Sequence, residues 1–154
     1  MIEPIEKKLN IDPAMLNAYS SGLLQGKAYS CLYASLTRTL VFFDLSIPEW
    51  KLLGQLYEHG EVKLSQLAEL LSYDPPMVTK LAKSLEQKLL VKRVQDPRDE
   101  RAKIIMITTS GSDLIEKIEP EVKKIMARLL SGVSREELFV YIKVLSTIVN
   151  NSNL

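Results

Sequence analysis

Val91 to Gly111, VKRVQDPRDERAKIIMITTSG, reads as two short strands joined by a turn whose tip is crowded with charge. A hairpin of that kind serves something outside its own fold. Upstream, Leu64 to Leu89, LSQLAELLSYDPPMVTKLAKSLEQKL, predicts a short helix, a turn and a second helix opened by Asp74-Pro75. The Asp74 carboxylate can accept from the free amides of the following turn, and Pro75 occupies a position whose donor would have no partner. Val78, Leu81, Leu85 and Leu89 define the buried face of this second helix; Pro76, Lys80, Lys83 and Gln87 lie opposite, with Met77, Thr79 and Ser84 on the flanks. Ser65 is expected to cap the short helix Gln66 to Leu71, and Val62 to Leu64 to pair with the hairpin as a minor strand. The pattern is a helix-turn-helix followed by a wing.

Charge is unevenly distributed. The 154 residues carry a net charge of +1, yet Pro75 to Lys103 holds eight basic residues against four acidic ones, leaving +4 there and −3 elsewhere. A local basic footprint on a near-neutral chain suits a compact nucleic-acid reader. Charge alone would equally suit a solvated face; the helix-turn-helix and hairpin beside it decide between the two.

The 46% apolar content supports a core, and the length suits one domain. No apolar run approaches the roughly 18 residues of a membrane span, and MIEPIEKKLN has no apolar signal core, so a cytoplasmic protein is expected. The single cysteine and single histidine argue against a disulfide framework and most transition-metal sites. There is no glycine-rich phosphate loop, nucleophile elbow or carboxylate pair with an evident cleft. His59 precedes Gly60 where a helix should stop, which makes it a terminator and not a catalyst. No enzyme, cofactor or metal is expected.

Asp12-Pro13 should open a long helix running toward Phe42, and Pro48 a second one with Leu52, Leu53, Leu56 and Tyr57 at helical spacing. Beyond Gly111, Ser112 to Leu130 is apolar at helical spacing with Pro120 inside it. Ser134 and Glu137 then form a capping box for a last helix, Arg135 to Val149, before a polar tail from Asn150 that should fray. So much apolar helix surface exceeds what a small winged domain can cover, and the surplus argues for a dimer.

The segment Leu45 to Gly111 resembles the MarR (multiple antibiotic resistance regulator) family of winged helix-turn-helix transcription regulators. The wing tip carries the resemblance, with Asp96, Asp99, Arg101, Thr108 and Gly111 in register. Two features depart from the family pattern: Leu89 stands where a glycine commonly follows the second helix, and Asp74-Pro75-Pro76 replaces small polar residues at its start. The expected fold is mostly α with a small β-hairpin wing. It comprises a single MarR-type domain over residues 1–154, with an N-terminal helical region at 12–44, a DNA-binding lobe at 45–111 and C-terminal dimerisation helices at 112–150.

The resemblance implies a homodimeric repressor on double-stranded DNA with a near-palindromic operator. By that resemblance Arg101 enters the minor groove supported by Asp99, while Arg98 and Lys103 meet phosphates. Base edges fall to Met77, Thr79 and Lys80, with Ser65, Pro76 and Lys83 on the same DNA-facing surface. The resemblance also implies a pocket for a small aromatic or phenolic effector, for which Tyr29, Tyr33 and Trp50 are the candidates. Cys31 is expected to be a buried packing residue; a thiol-based oxidant sensor using Cys31 and a winged-helix module that binds protein are the alternatives.

Overall fold

The computed structural model describes residues 18–152. The helix start expected at Asp12-Pro13 therefore lies outside the described residues, as does Asn153. The chain divides into two units, Met1–Val122 and Lys123–Leu154.

The first unit contains α1 (Ala18–Leu40), a 3-10 turn (Val41–Phe43), α2 (Ile47–His59), β1 (Glu61–Lys63), α3 (Leu64–Leu71), α4 (Pro75–Gln87), β2 (Val91–Asp96) and β3 (Asp99–Ile107). α5 (Thr109–Leu129) begins in this unit and ends in the second, and α6 (Arg135–Ser152) follows. The three strands form one antiparallel sheet in the order β1-β3-β2. Val62 faces Ile105 across one ladder, and Val91 to Gln95 face Ile107 to Lys103 across the other, before a register shift between Gln95 and Asp96 at the wing tip. α2 packs on α4 and β3, and α4 also on α3 and β2. Leu52, Leu53, Leu56, Leu67, Val78, Leu85 and Ile105 are sealed from solvent in this core.

Local chemistry sets the helix ends. Ser46 and Glu49 form a reciprocal capping box at the start of α2, and Gly60, at φ 78°, stops that helix immediately after His59. Asp74 caps α4 by accepting from the Met77 amide at 2.7 Å. Ser65 is not a cap: β1 runs directly into α3, which begins at Leu64, and the Gln66 side chain accepts from the Lys63 amide instead. Ser65 thus lies in the first turn of the helix.

On α4 the buried stripe is Val78, Ala82 and Leu85, while Leu81 is only half-buried. Leu89 is not part of it. It is 74% exposed at φ 62°. The Leu89 amide donates to Glu86 O and the Leu90 amide to Leu85 O, both at 3.0 Å. This is the bond pattern of a Schellman stop, which wants a left-handed residue at that place. A leucine there carries the steric cost of its Cβ with no burial in the chain to offset it. Leu89→Gly should therefore raise stability by about 0.5–1 kcal/mol, the left-handed penalty less the extra backbone entropy of glycine. Urea unfolding would measure it, and an unchanged or lower midpoint would contradict the strain argument.

The Thr108-Gly111 pair fastens this same corner. Thr108 donates through its hydroxyl to Leu89 O at 2.8 Å and through its amide to Leu90 O at 3.0 Å. The Gly111 amide donates back to Thr108 Oγ1 at 3.1 Å. A Cβ on Gly111 would collide with the Leu90 carbonyl, so only glycine lets the start of α5 close on the turn between α4 and β2.

In the second unit Gly132, at φ 86°, turns the chain toward α6. The Ser134 amide donates to Glu137 Oε2 at 2.7 Å and the Glu137 amide to Ser134 Oγ at 3.1 Å, completing the expected capping box. α6 continues three residues past the expected stop at Val149, so Asn150 to Ser152 are helical and not frayed.

Candidate nucleic-acid interface

The exposed ridge of α4 is made of Pro76, Lys80, Lys83 and Gln87, with Met77, Thr79 and Ser84 half-buried beside it. This follows from the helix period once Val78, Ala82 and Leu85 face the core. One flank of the ridge meets the wing. There Ser65, Pro75, Thr79 and Lys83 join Arg93, Asp99, Arg101 and Lys103 around a groove of about 540 Å³. The other flank meets the start of α2, where Pro76, Met77 and Lys80 join Ser46, Glu49 and Ser84 around a separate cleft of about 620 Å³. Arg98 lies at neither; it borders a third depression with Lys63, Gln66 and Asp96. The sequence-predicted contact residues thus divide among three adjoining surfaces, and Ser65, Thr79, Lys83, Arg101 and Lys103 are the ones the fold gathers together.

Two cations lining the wing groove have carboxylate partners. Arg93 Nε donates to Glu86 Oε2 at 2.8 Å, tying the end of α4 to β2. Lys63 Nζ lies 3.0 Å from Asp96 Oδ2. Among the described residues Lys83, Arg101 and Lys103 form no ion pair, which leaves their charge available to an outside anion.

The wing tip is held by its own aspartates. Asp96 is 3% exposed and accepts from the Arg98 amide at 2.9 Å. Asp99 accepts from the Arg101 amide at 3.0 Å. Asp99 therefore supports Arg101 through its backbone, setting the turn from which the guanidinium extends. The Arg98 amide, followed by the Lys63 ammonium, holds the Asp96 carboxyl below its ordinary range.

A second set of charges lies behind α4. Glu49, buried on α2, accepts from Ser84 Oγ at 2.6 Å and from Lys88 Nζ at 3.2 Å. Burial alone would raise its pKa, but the bonds from Ser46, Ser84 and Lys88 outweigh it and hold the carboxyl below its ordinary value of 4.5. Glu86 is lowered too, chiefly by its bond from Arg93. A depressed carboxylate contributes stability that is present above its unfolded pKa and disappears as pH falls through its folded pKa. We expect thermal stability attributable to Glu49, Glu86 and Asp96 to be flat from about pH 7 to pH 5.5 and to fall below roughly pH 4.5. Thermal melts of wild type and Glu49→Gln across that range provide the check; equal acid sensitivity of the two would mean that Glu49 contributes nothing to it.

Among the aromatic candidates, Tyr29 and Tyr33 have ring centroids 5.6 Å apart on α1. Tyr73, in the turn before α4, has its pKa raised by burial and, after that, by the influence of Tyr29 and Tyr33; among the described residues its ring makes no contact with theirs. Trp50 sits half-buried on α2, with no ring contact to the tyrosines among the described residues. Cys31 is exposed, contrary to its expected packing role. Among the described residues α1 buries Ser35, Leu36 and Leu40 in its last turns and leaves residues 22–31 open.

Sequence reasoning missed Lys63, Tyr73 and the Glu49 and Glu86 anchors. Only Glu49 had a local signal, the Ser46-x-x-Glu49 spacing of a capping box.

A helix-turn-helix with a cation-lined groove between its second helix and an antiparallel wing defines a winged-helix protein. Residues 45–103 match the MarR family, and the chain belongs to that family. It is 37% identical over 86 residues to MdtR, an HTH-type transcriptional repressor of Bacillus subtilis (strain 168), covering 56% of each chain. The chain thus spans little more than half the length of that relative. The S. aureus MepR–DNA complex superposes with a TM-score of 0.74 at 28% identity, over 85% of this chain and 96% of MepR. Bordetella bronchiseptica BpsR, whose DNA binding is regulated by 6-hydroxynicotinic acid, superposes with a TM-score of 0.76 at 22% identity, over 84% of this chain and 98% of BpsR. Among the described residues no helix is long and apolar enough to cross a membrane.

Proposed function

We propose that the chain is a homodimeric, sequence-specific DNA-binding repressor of the MarR type, acting in the cytoplasm and without catalytic activity of its own. The observation that carries this reading is the groove in which Lys83 of α4 meets Arg101 and Lys103 of the wing, none of them in an ion pair among the described residues. Each α4 enters a major groove with its Pro76, Lys80 and Lys83 ridge, while Arg101 follows the adjacent minor groove. Two-fold symmetry then demands a near-palindromic operator with half-sites about one helical turn, roughly 10 bp, apart. MepR bound to DNA and MdtR as a repressor support the reading.

Regulation follows from any ligand that changes the separation of the two α4 helices, because one separation fits successive grooves and others do not. The contact of Tyr29 with Tyr33 supports a small aromatic acid or phenol as effector, as does the regulation of BpsR by such a compound. Trp50 supports that reading less, since among the described residues its ring makes no contact with the tyrosines.

Selection of bound fragments from random or genomic duplexes tests the function. It should return a near-palindrome whose affinity falls steeply with salt as counterions are released. Recovery of no duplex at low salt would reject DNA binding and leave a protein-binding winged helix.

A further inference from the structure

We infer that Glu49 is a positioning residue for DNA reading: through Ser84 and Lys88 it fixes the rotation of α4 about its own axis, and with it the angle at which Lys80 and Lys83 meet a duplex. The inference rests on the DNA-binding role proposed above.

An apolar stripe such as Val78, Ala82 and Leu85 seats a helix firmly but without direction, since hydrophobic contact changes little with a small roll or slide. Hydrogen bonds are directional and weaken steeply off axis. Glu49 is well placed to supply that direction. Its backbone lies in the first turn of α2, and its Oε2 accepts from the Ser46 amide at 2.9 Å and the Ser46 hydroxyl at 3.1 Å, so the carboxylate is fixed before it meets α4. Its Oε1 takes the Ser84 hydroxyl at 2.6 Å, and Lys88 Nζ reaches both of its oxygens at 3.2 Å. The side chain is 8% exposed. An ion pair of this kind, buried on the Glu49 side and half-buried on the Lys88 side, is a modest source of net stability, and its better-attested use is to specify one arrangement over others.

The opposite flank is held independently. Ser84 and Glu86 project about 200° apart around the helix, and Glu86 carries the Arg93 fork from β2. α4 is thereby gripped from α2 on one side and from the wing strand on the other, with its exposed ridge between the grips. Lys88 also bonds to the carbonyl of Asp44, whose backbone is left-handed at φ 54°, at the junction of α1 and α2. A shift of that junction would be transmitted to α4 through the same ammonium.

The test uses the full chain and the operator recovered by selection. Glu49→Gln, Ser84→Ala and the double variant are compared with wild type for affinity to the operator and to an unrelated duplex of equal length, at one salt concentration. Each single variant should lower the ratio of the two affinities about tenfold, the scale of one charged hydrogen bond, while affinity for the unrelated duplex stays within about twofold. The double variant should be no worse than the poorer single, because the two residues form one interaction. Tyr57→Phe, which removes a 3.2 Å bond to Glu116 away from α4, is the control and should leave the ratio unchanged. A general electrostatic effect of the lost charge would raise both affinities together and leave the ratio alone. Ratios within about twofold of wild type in both single variants, or an equal loss in Tyr57→Phe, would overturn the inference while leaving the DNA-binding function intact. If Glu49→Gln does not fold, Ser84→Ala decides on the same two outcomes. A wild-type chain that binds no duplex overturns the function and the inference together.

Discussion

Alanine at both Lys83 and Arg101 should lower the affinity of the protein for DNA about a thousandfold at physiological salt and flatten its salt dependence. The two cations line one groove from opposite walls, α4 and the wing, and neither has an ion-pair partner among the described residues. A dimer loses four such contacts. A lysine or arginine brought into either groove neutralises backbone charge and displaces counterions as a direct phosphate contact does, each adding about 0.9 to the slope of log affinity against log salt, so the slope should fall by about 3.6. At roughly 0.15 M salt that corresponds to about three orders of magnitude. The loss should fall on operator and unrelated duplex alike, with Arg101→Ala alone also reducing any preference for narrow A·T-rich minor grooves. Lys80→Ala should behave differently. It lies on the other flank, beside Met77 and Glu49, and as a base contact should cost about 1–3 kcal/mol and relax specificity at one position per half-site. Titrations at two salt concentrations separate the cases. Wild-type affinity in the Arg101→Ala protein would show that the wing is not where DNA is held.

Much of this surface was legible in the chain because its signals are local. Asp74-Pro75 is a helix start on chemistry alone, and the α4 ridge of Pro76, Lys80, Lys83 and Gln87 follows from helical period with no knowledge of the partner elements. The wing declared itself through a charged turn between two strand-like runs. Long-range pairing was not legible. Nothing in the sequence says that Glu49 meets Ser84 across 35 residues, or that Arg93 is claimed by Glu86 while Lys83 is not. Counting charges over Pro75 to Lys103 therefore overstated the cations available to DNA. Ser65 is not a cap because β1 passes into α3 without a break, a junction that a search for capping residues does not reveal. The Leu89 departure was visible as a missing glycine, but not the left-handed backbone that makes it costly. Cys31 is exposed, and not packed, because α1 leaves residues 22–31 open, which no local signal announces.

That openness underlies the second large effect. Every residue of α6 from Arg135 to Ser152 is exposed except Leu138, which is half-buried. Among them are Phe139 at 73% and Ile142 at 54% exposure. A helix apolar over much of its circumference is not stable facing water and wants a partner surface. α1 is similarly open at Leu23 and Leu24. If a second copy supplies that surface, each substitution enters the symmetric interface twice. Phe139→Glu with Ile142→Glu then removes four large apolar side chains, worth about 1.5 kcal/mol or more each. The dimer should weaken by at least about 6 kcal/mol, roughly 10,000-fold. Operator affinity should collapse with it, because two half-sites are bound tightly only while the second encounter is intramolecular. Contact with single half-sites through Lys83 and Arg101 should survive as weak, salt-sensitive binding. The thermal midpoint of wild type should rise with protein concentration, as it must when folding and association are linked. Sedimentation distinguishes the outcomes: a well-folded wild-type monomer at low micromolar concentration would remove the dimer from the mechanism, and a double variant that still sediments as a dimer would move the interface off α6.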